Sequence, residues 1–348
     1  MQKRQVFGLL LLTALMIPAL LIASAGRFAE DAKPGAAQID ITRDDASTTR
    51  MIVEVPDFDV ETVDFGDETF DRITIGSEPK TIREGWPELP MITRVVIVPP
   101  DEGVHLKINE VRSRVEVGRR PKIAPPQDGS VDIFESGVPC DEYRACDGFW
   151  PPDPVVMSEP AILRGYRLVQ ITVFPVQFNP TTGEMRFNDR VDFQLDYYGA
   201  GRNVVPNPSH RRPSSSIQRI LEALTVNPPR RDLGVADSER GSYLLIYPDA
   251  NGVEEAVQPL VEWRARQGWE VHTEQVRNNA ATNTVKDIIQ DAYDDWDNPP
   301  EMVVLVGDAG GSVSISAYPN TDFDYVLLDG NDILADADIG RISVESVN

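Results

Sequence analysis

The sequence is poor in the residues that build thiol and metal centres: its 348 residues include 2 cysteines and 3 histidines. Two cysteines exclude a disulfide-dense scaffold and a four-cysteine zinc site. Three histidines leave little material for a histidine-rich metal centre. Basic residues are also outnumbered, since 33 Lys and Arg stand against 56 Asp and Glu, and the formal net charge is −23. This balance argues against nucleic-acid binding, which needs a basic face to neutralise phosphates.

Long apolar runs are absent as well, except at the N-terminus. A basic pair, Lys3–Arg4, precedes an apolar run from Val6 to Ala23, and small residues follow up to Ala25. The run is close to the ~18 residues that raise the question of a membrane span. Pro18 and the small residues at its end favour a signal peptide over residues 1–25, cleaved after Ala25. We therefore expect an exported protein, secreted or at the bacterial cell surface, with no permanent membrane span.

Export would place Cys140 and Cys146 in a compartment in which disulfides form. A bridge between them would close a small loop within a stretch rich in proline and aspartate, residues 139–154. Spacing alone does not establish the bridge, because disulfide geometry is demanding. We interpret the pair as a local loop staple rather than as a reactive thiol.

Residues 26–200 have the pattern of an all-β domain. From about residue 51 to 198, β-branched and apolar residues alternate with polar ones, as in antiparallel strands with one buried face. The clearest segments are 51–55, 92–98, 104–108, 167–174 and 191–197. The pattern predicts a β-sandwich or barrel, with a proline-rich insertion around residues 121–154.

Residues 201–231 have the composition of a linker, with prolines, serines and basic residues around one short amphipathic segment, 217–224. The pair Arg230–Arg231 lies near its end, and exposed linkers are favoured sites of proteolytic nicking. We expect processing at this pair, and the alternative is an ordinary basic linker.

From residue 232 to 348 the hydrophobic period changes. Strand-like runs at 243–247, 270–276 and 302–306 alternate with helical repeats at 253–268 and 284–296. This order predicts a parallel, doubly wound α/β sheet. Functional loops in such sheets follow the carboxyl ends of the strands, and Asp308 follows the third strand directly.

The densest charge feature lies in residues 321–341. No Lys or Arg precedes Arg341 there, and six aspartates do: Asp322, Asp324, Asp329, Asp332, Asp336 and Asp338. Carboxylates this close together repel one another unless they are solvated or bridged by a cation. Oxygen donors suit Ca²⁺, which takes about six to eight of them. The candidate donors are Asp308, Asp329, Asp332, Leu334 through its carbonyl, and Asp336. The spacing is not that of an EF-hand, and a solvated acidic turn is the alternative.

Several motifs together resemble the gingipain-type secreted cysteine peptidases, whose catalytic domain is related to caspases. In the β region these are GWPELP at 85–90, VVIVP at 95–99, RGYR at 164–167 and FPVQFNP at 174–180. In the α/β region they are YLLIY at 243–247, LVEWRARQG at 260–268, VVLVGD at 303–308, DYVLLDGND at 324–332 and IGR at 339–341. Their order and spacing extend over most of the chain after the signal peptide.

The resemblance implies an inhibitory β-sandwich propeptide and a calcium-stabilised, caspase-like catalytic domain. By position, Asp308 and Asp332 match carboxylate ligands and Leu334 matches a carbonyl ligand. Asp336 falls where gingipains have Glu, and Asp329 falls where the family uses only a backbone oxygen. The resemblance thus favours calcium over the solvated turn.

The family's catalytic His and Cys follow this region and are absent from the chain, so we expect residues 232–348 to be an incomplete, N-terminal part of the peptidase domain. We expect the precursor of a secreted cysteine endopeptidase that acts on protein or peptide substrates and is inhibited by its own propeptide. The alternatives are a non-catalytic exported cell-surface or adhesion module with a calcium-bound α/β scaffold, and a periplasmic ligand-binding protein.

Overall fold

The computed structural model describes residues 37–55, 57–65, 67–126, 137–205, 214–229, 240–319 and 321–346. The predicted signal peptide with its cleavage residue Ala25 lies outside the described residues, as does the predicted processing pair Arg230–Arg231. Neither prediction is tested by the structure.

Two antiparallel sheets form the β region. The first contains β1 (Gln38–Asp45), β2 (Thr48–Glu54), β6 (Glu102–Val117), β10 (Val176–Asn179) and β11 (Glu184–Ala200). The long strand β11 pairs with β6 along one edge and with β2 and β10 along the other. The second sheet contains β5 (Ile92–Ile97), β7 (Val155–Met157), β8 (Ala161–Leu163) and β9 (Tyr166–Val173). A separate hairpin consists of β3 (Asp59–Phe65) and β4 (Glu68–Thr74).

The two sheets share one hydrophobic core, which confirms the predicted sandwich. Val53 and Phe193 of the first sheet pack in the same buried cluster as Val96 and Ile171 of the second. Their alternation along each strand follows from the two-residue period of side chains in a β-strand.

The proline-rich insertion packs on the sandwich through a second cluster that contains Trp86, Tyr143 and Trp150. It carries a short helix, α1 (Asp141–Arg144), in which the Cys140 sulfur accepts a hydrogen bond from the Tyr143 N–H at 3.4 Å. Both Cys140 and Cys146 are free thiols in this structure. The bridge between them is therefore not formed here and stays a prediction.

Helix α2 (Ser215–Leu224) lies within the stretch that the sequence indicates as a linker. Its residues Ile217 and Leu221 are buried, and Thr225, directly after it, forms a parallel bridge with Val95 of β5. The Asn227 side chain then bonds the N–H and carbonyl of Ile97. Residues 214–229 are therefore not a free linker. They contain an amphipathic helix, and the residues that follow it lie against the open edge of β5.

The α/β unit is a parallel sheet with helices on both faces. Its elements are β12 (Ser242–Asp249), α3 (Val253–Arg266), β13 (Glu270–Arg277), α4 (Thr282–Asp295), β14 (Pro300–Val306) and β15 (Asp338–Ile342). The sheet order is β13-β12-β14-β15, with parallel pairing throughout. Leu245 of β12 packs with Val257 of α3, whereas its neighbour Leu244 packs with Ile289 of α4. The predicted doubly wound α/β fold is confirmed.

No helix in the described part of the chain is both long enough and apolar enough to cross a membrane.

Candidate functional site

The carboxyl edge of the parallel sheet is organised by Arg341, at the end of β15. Its guanidinium group forms two hydrogen bonds of 2.7 Å with the Asp322 carboxylate. It also donates to the carbonyls of Gly307 and Ile315, at 3.0 and 2.8 Å. One side chain thereby joins the end of β14 to the loop that follows it, and neutralises one of the six aspartates.

Asp308 lies on this edge, as its position after β14 predicts. Its N–H bonds the Val313 carbonyl and its carbonyl accepts from the Ile315 N–H. The preceding Gly307 has φ 115°, and a Cβ there would lie 2.9 Å from the Val313 oxygen. Glycine is therefore required where the loop folds back, and Asp308 is left half-buried beside it.

Four of the predicted ligand residues lie together in residues 329–338, which we call the acidic loop. Asp336 is 2% exposed, and its carboxylate accepts hydrogen bonds from the N–H groups of Leu328, Asp329 and Arg164 at 2.9, 2.8 and 3.2 Å. Burial raises the pKa of Asp336 to about 7, with a further raising effect from the neighbouring Asp329 charge, while these N–H groups act in the opposite direction. Asp336 is the most deeply buried acid of the loop, and backbone donors hold it in place.

Asp329 is 5% exposed and accepts a hydrogen bond of 2.9 Å from the Tyr293 hydroxyl of helix α4. The single lysine of the same helix, Lys286, donates from its ammonium group to three backbone carbonyls, those of residues 324, 325 and 327. Burial lowers the pKa of Lys286, and the charges of Asp336 and Asp324 act against that shift. The lysine is the one basic residue between positions 283 and 338, and it stabilises the segment that leads into the acidic loop.

Asp332 connects the acidic loop with the β region. Its carboxylate accepts from the Ile162 N–H at 2.8 Å, from the Asn203 amide at 2.7 Å and from the Leu334 N–H at 2.9 Å. Asp338, at the end of the loop, forms an ion pair of 2.5 Å with Arg164. Ile162 and Arg164 belong to the β region and Asn203 follows its last strand, so two carboxylates of the predicted ligand set, Asp332 and Asp336, accept hydrogen bonds from the part of the chain that precedes the α/β unit.

The donor chemistry of the loop suits a hard cation, because the candidate ligands are all oxygen atoms. The assembled geometry does not match, because in the described residues no three carboxylate, imidazole or thiol side chains converge on one point. The oxygens of Asp332 and Asp336 are directed at N–H donors instead. A calcium ion at Asp308, Asp329, Asp332, Leu334 and Asp336 remains a prediction.

The sequence missed every donor that reaches these carboxylates from the β region. Arg164 lies in a motif noted only for its resemblance, and Asn203 lies in the linker composition. The unusual feature of both is a positive φ, 51° for Arg164 and 48° for Asn203, which no residue pattern reveals.

Comparison with known proteins gives two family matches. The propeptide model of family C25 matches residues 33–203, and the model of peptidase family C25 matches residues 236–348. Only residues 1–32 and 204–235 lie outside both.

Among curated proteins the chain is similar to gingipains of Porphyromonas gingivalis. It is 25% identical to gingipain R2 of strain W83 in an alignment of 274 positions that covers 76% of this chain and 36% of that protein. It is 21% identical to Lys-gingipain HG66 in an alignment of 280 positions that covers 76% of this chain and 16% of that protein. The chain thus spans about a third or less of the length of these relatives.

Among solved structures, the chain is similar to the complex of the RgpB pro- and mature domains of P. gingivalis, with a TM-score of 0.45 and 18% identity over 49% of this chain and 90% of that chain. It is also similar to a structure described for the zymogenic latency of gingipain K, with a TM-score of 0.40 and 16% identity over 48% of this chain and 96% of that chain.

Proposed function

Because the chain belongs to peptidase family C25 and carries the propeptide of that family, we propose that it is the propeptide and the first part of the peptidase domain of a secreted cysteine endopeptidase. The observation that carries the proposal is the order of the two matches in one chain, propeptide first and peptidase second. The substrates would be proteins or peptides, as the class of enzyme implies.

The nucleophile of such an enzyme is proposed to lie in a part of the protein beyond these 348 residues. Both cysteines of the chain, Cys140 and Cys146, fall within the stretch that the propeptide model matches. Burial raises the pKa of Cys146, and the Asp147 charge adds to the effect. A raised pKa keeps a thiol protonated, whereas the attacking form is the thiolate. In the whole enzyme a thiolate would attack the scissile carbonyl and a His would move the proton.

The β region is proposed to act as the inhibitor of the peptidase until the linker is cut. The direct hydrogen bonds between the β region and the acidic loop support a β region that stays on the α/β unit. Helix α2 packs on the β region, so a cut at Arg230–Arg231 would leave it with the propeptide. Export through a signal peptide cleaved after Ala25, to the cell surface or beyond, belongs to the same proposal.

The proposed function includes a calcium ion bound at the acidic loop. Its support is the oxygen-only donor set and the burial of Asp329 and Asp336 side by side, an arrangement in which a divalent cation would offset two carboxylate charges. The residues that would hold the ion are Asp308, Asp329, Asp332, Leu334 and Asp336, and its contribution would be structural.

The test uses the complete protein encoded by the gene, assayed for peptide hydrolysis before and after maturation. We expect activity to appear with cleavage between residues 229 and 240 and to be abolished by a thiol-alkylating reagent. Replacing Arg230 and Arg231 together by Ala should block or delay that cleavage. The matched control replaces Arg211 and Arg212, a second basic pair in the same linker, and should mature normally. A matured protein without alkylation-sensitive peptidase activity would contradict the proposal.

A further inference from the structure

Hydrogen bonds and one ion pair join the two halves of the chain among the described residues. On the β-region side this contact includes the turn between β8 and β9, formed by Arg164 and Gly165, which we call the hairpin tip. On the other side is the acidic loop. Ile162, just before the tip, donates its N–H to Asp332, and Arg164 at the tip donates its N–H to Asp336. Backbone N–H donors at and next to the bend thus meet carboxylates of the acidic loop.

The hairpin tip has the geometry of a two-residue turn with both central residues at positive φ, 51° at Arg164 and 81° at Gly165. Turns of this kind favour Asn, Asp or Gly, because a larger side chain is strained there. Arginine at the first position is an exception to that preference. Its guanidinium group is explained by the ion pair with Asp338, in which the Arg164 side chain is only 10% exposed.

Asn203 repeats the pattern at a second point of the contact. Its φ is 48°, its amide donates to Asp332, and its side-chain oxygen accepts from the Asn331 N–H at 2.8 Å. Opposite it, a Cβ on Gly330 would lie 2.5 Å from the Asn203 oxygen. Glycine at position 330 therefore leaves room for Asn203 to reach the loop.

Strained backbone is retained where surrounding interactions hold it, and it concentrates at functional contacts. In the described part of the chain three non-glycine residues have positive φ: Arg164, Asn203 and Asn279. Two of the three lie at this contact. The third, Asn279, belongs to the α/β unit, where its N–H bonds the Ser314 carbonyl.

From these observations we propose that the acidic loop is the docking site that retains the β region on the α/β unit after the linker is cut, with Arg164 and Asn203 as the inserted residues. The inference rests on the proposed function in one respect, that the linker is cut in the life of the protein. It assigns Asp332, Asp336 and Asp338 a role as acceptors for the β region, which the prediction of a calcium site does not contain.

The test cuts the chain in place and asks whether its halves stay together. A recognition sequence for a specific protease is introduced at residues 232–236, after helix α2. The cut protein is then diluted and analysed by size-exclusion chromatography, which gives the dissociation constant of the two pieces. The variants are Arg164→Gly and Asn203→Gly, alone and together, because glycine accepts a positive φ and keeps the backbone path.

We expect the unaltered pieces to elute together. Each single variant should weaken their association several-fold, because each lost bond to a charged partner contributes roughly a factor of this size. The double variant should weaken it by about tenfold or more, because the two losses multiply. Asn279→Gly is the matched control, because it relieves the same kind of strain at a residue whose backbone N–H bond, to the Ser314 carbonyl, stays within the α/β unit, and it should leave the association within about twofold of the original.

Melting curves of the uncut variants show whether they fold. Glycine at these positions should lower the melting temperature only slightly, because relief of the strain at positive φ offsets part of the lost bonds. Association as tight in the double variant as in the unaltered protein would overturn the docking site, and so would pieces that separate at once without any substitution. Neither result bears on peptidase activity, so the proposed function would stand or fall by its own test.

Discussion

At the scale of single residues, one buried carboxylate of the sandwich, that of Asp192, is held by partners on neighbouring strands. Asp192 of β11 is 4% exposed and receives two hydrogen bonds from Arg50 of β2, at 2.9 and 2.6 Å. Asn109 of β6 adds a third at 3.0 Å. The hydrogen bonds from Arg50 lower the pKa of Asp192, Asn109 assists, and burial acts in the opposite direction. A single carboxylate thus ties together three strands of the first sheet.

This pair predicts a pH-dependent loss of stability in Asp192→Asn. A carboxylate whose pKa is lowered by folding stabilises the fold above its unfolded pKa, about 3.9, and loses that contribution as the pH falls through the folded pKa. We expect the variant to be less stable than the original by about 1–2 kcal/mol at pH 7, because a charge-assisted pair is lost. The difference should shrink below about pH 4.

The measurement is urea unfolding at pH 7 and at pH 3.5. Asp189→Asn is the control, since Asp189 pairs with Arg112, whose side chain is 61% exposed, and exposed pairs contribute little. A difference for Asp192→Asn that stays constant with pH would show that the charge of the carboxylate is not what stabilises the strands.

At the scale of elements, helix α2 is the part of the linker stretch with the clearest structural role. Leu221 is fully buried, whereas its neighbour Ile220 is 41% exposed. Leu221→Ala should therefore destabilise the fold by about 2–4 kcal/mol, because it leaves a cavity at a fully buried position. Ile220→Ala, the matched control, should cost less than about 0.5 kcal/mol. Thermal unfolding measures both, and equal effects of the two substitutions would contradict the burial of one face of this helix.

The sequence indicated only a short amphipathic segment at 217–224 within a linker, where the structure has helix α2 (Ser215–Leu224), whereas it predicted both helices and three strands of the parallel sheet. These elements depend on local patterns, which a sequence displays directly. The fourth strand, β15, was not predicted as a strand. Its sequence, DIGRI, includes a glycine and two charged residues, and a short strand with little apolar content gives no clear period. It forms because β14 offers it a parallel partner.

The contacts of helix α2 could not be predicted for a related reason. Its amphipathic face shows that it packs on something, but the open edge of β5 lies more than a hundred residues earlier in the chain. The same limit applies to Asp332, whose carboxylate is separated from its donor Ile162 by 170 positions. Composition indicated a cluster of acids in the acidic loop, and only the fold shows which donors reach it.

At the scale of the whole molecule, the acidic loop joins two proposals that can be separated by experiment. Docking uses its carboxylates as acceptors for N–H groups of the β region, whereas calcium would use the same residues as ligands. A carboxylate oxygen has two lone pairs, so one role does not exclude the other on chemical grounds. The two differ in what they predict for a chain that is never cut.

The calcium proposal predicts that a chelator lowers the melting temperature of the uncut chain. An ion that binds only the folded form stabilises it by about 2.7 kcal/mol at a hundredfold excess over its dissociation constant, which corresponds to about 5–10 °C for a unit of this size. Asp332→Asn should remove the response to the chelator, while its amide oxygen still accepts the Ile162 N–H. Asp324→Asn is the control, because Asp324 is an exposed acid of the same segment outside the proposed ligand set, and it should respond like the original. Melting curves that superimpose with and without chelator in the unaltered chain would contradict a calcium ion at this loop and leave the docking site as its only proposed role.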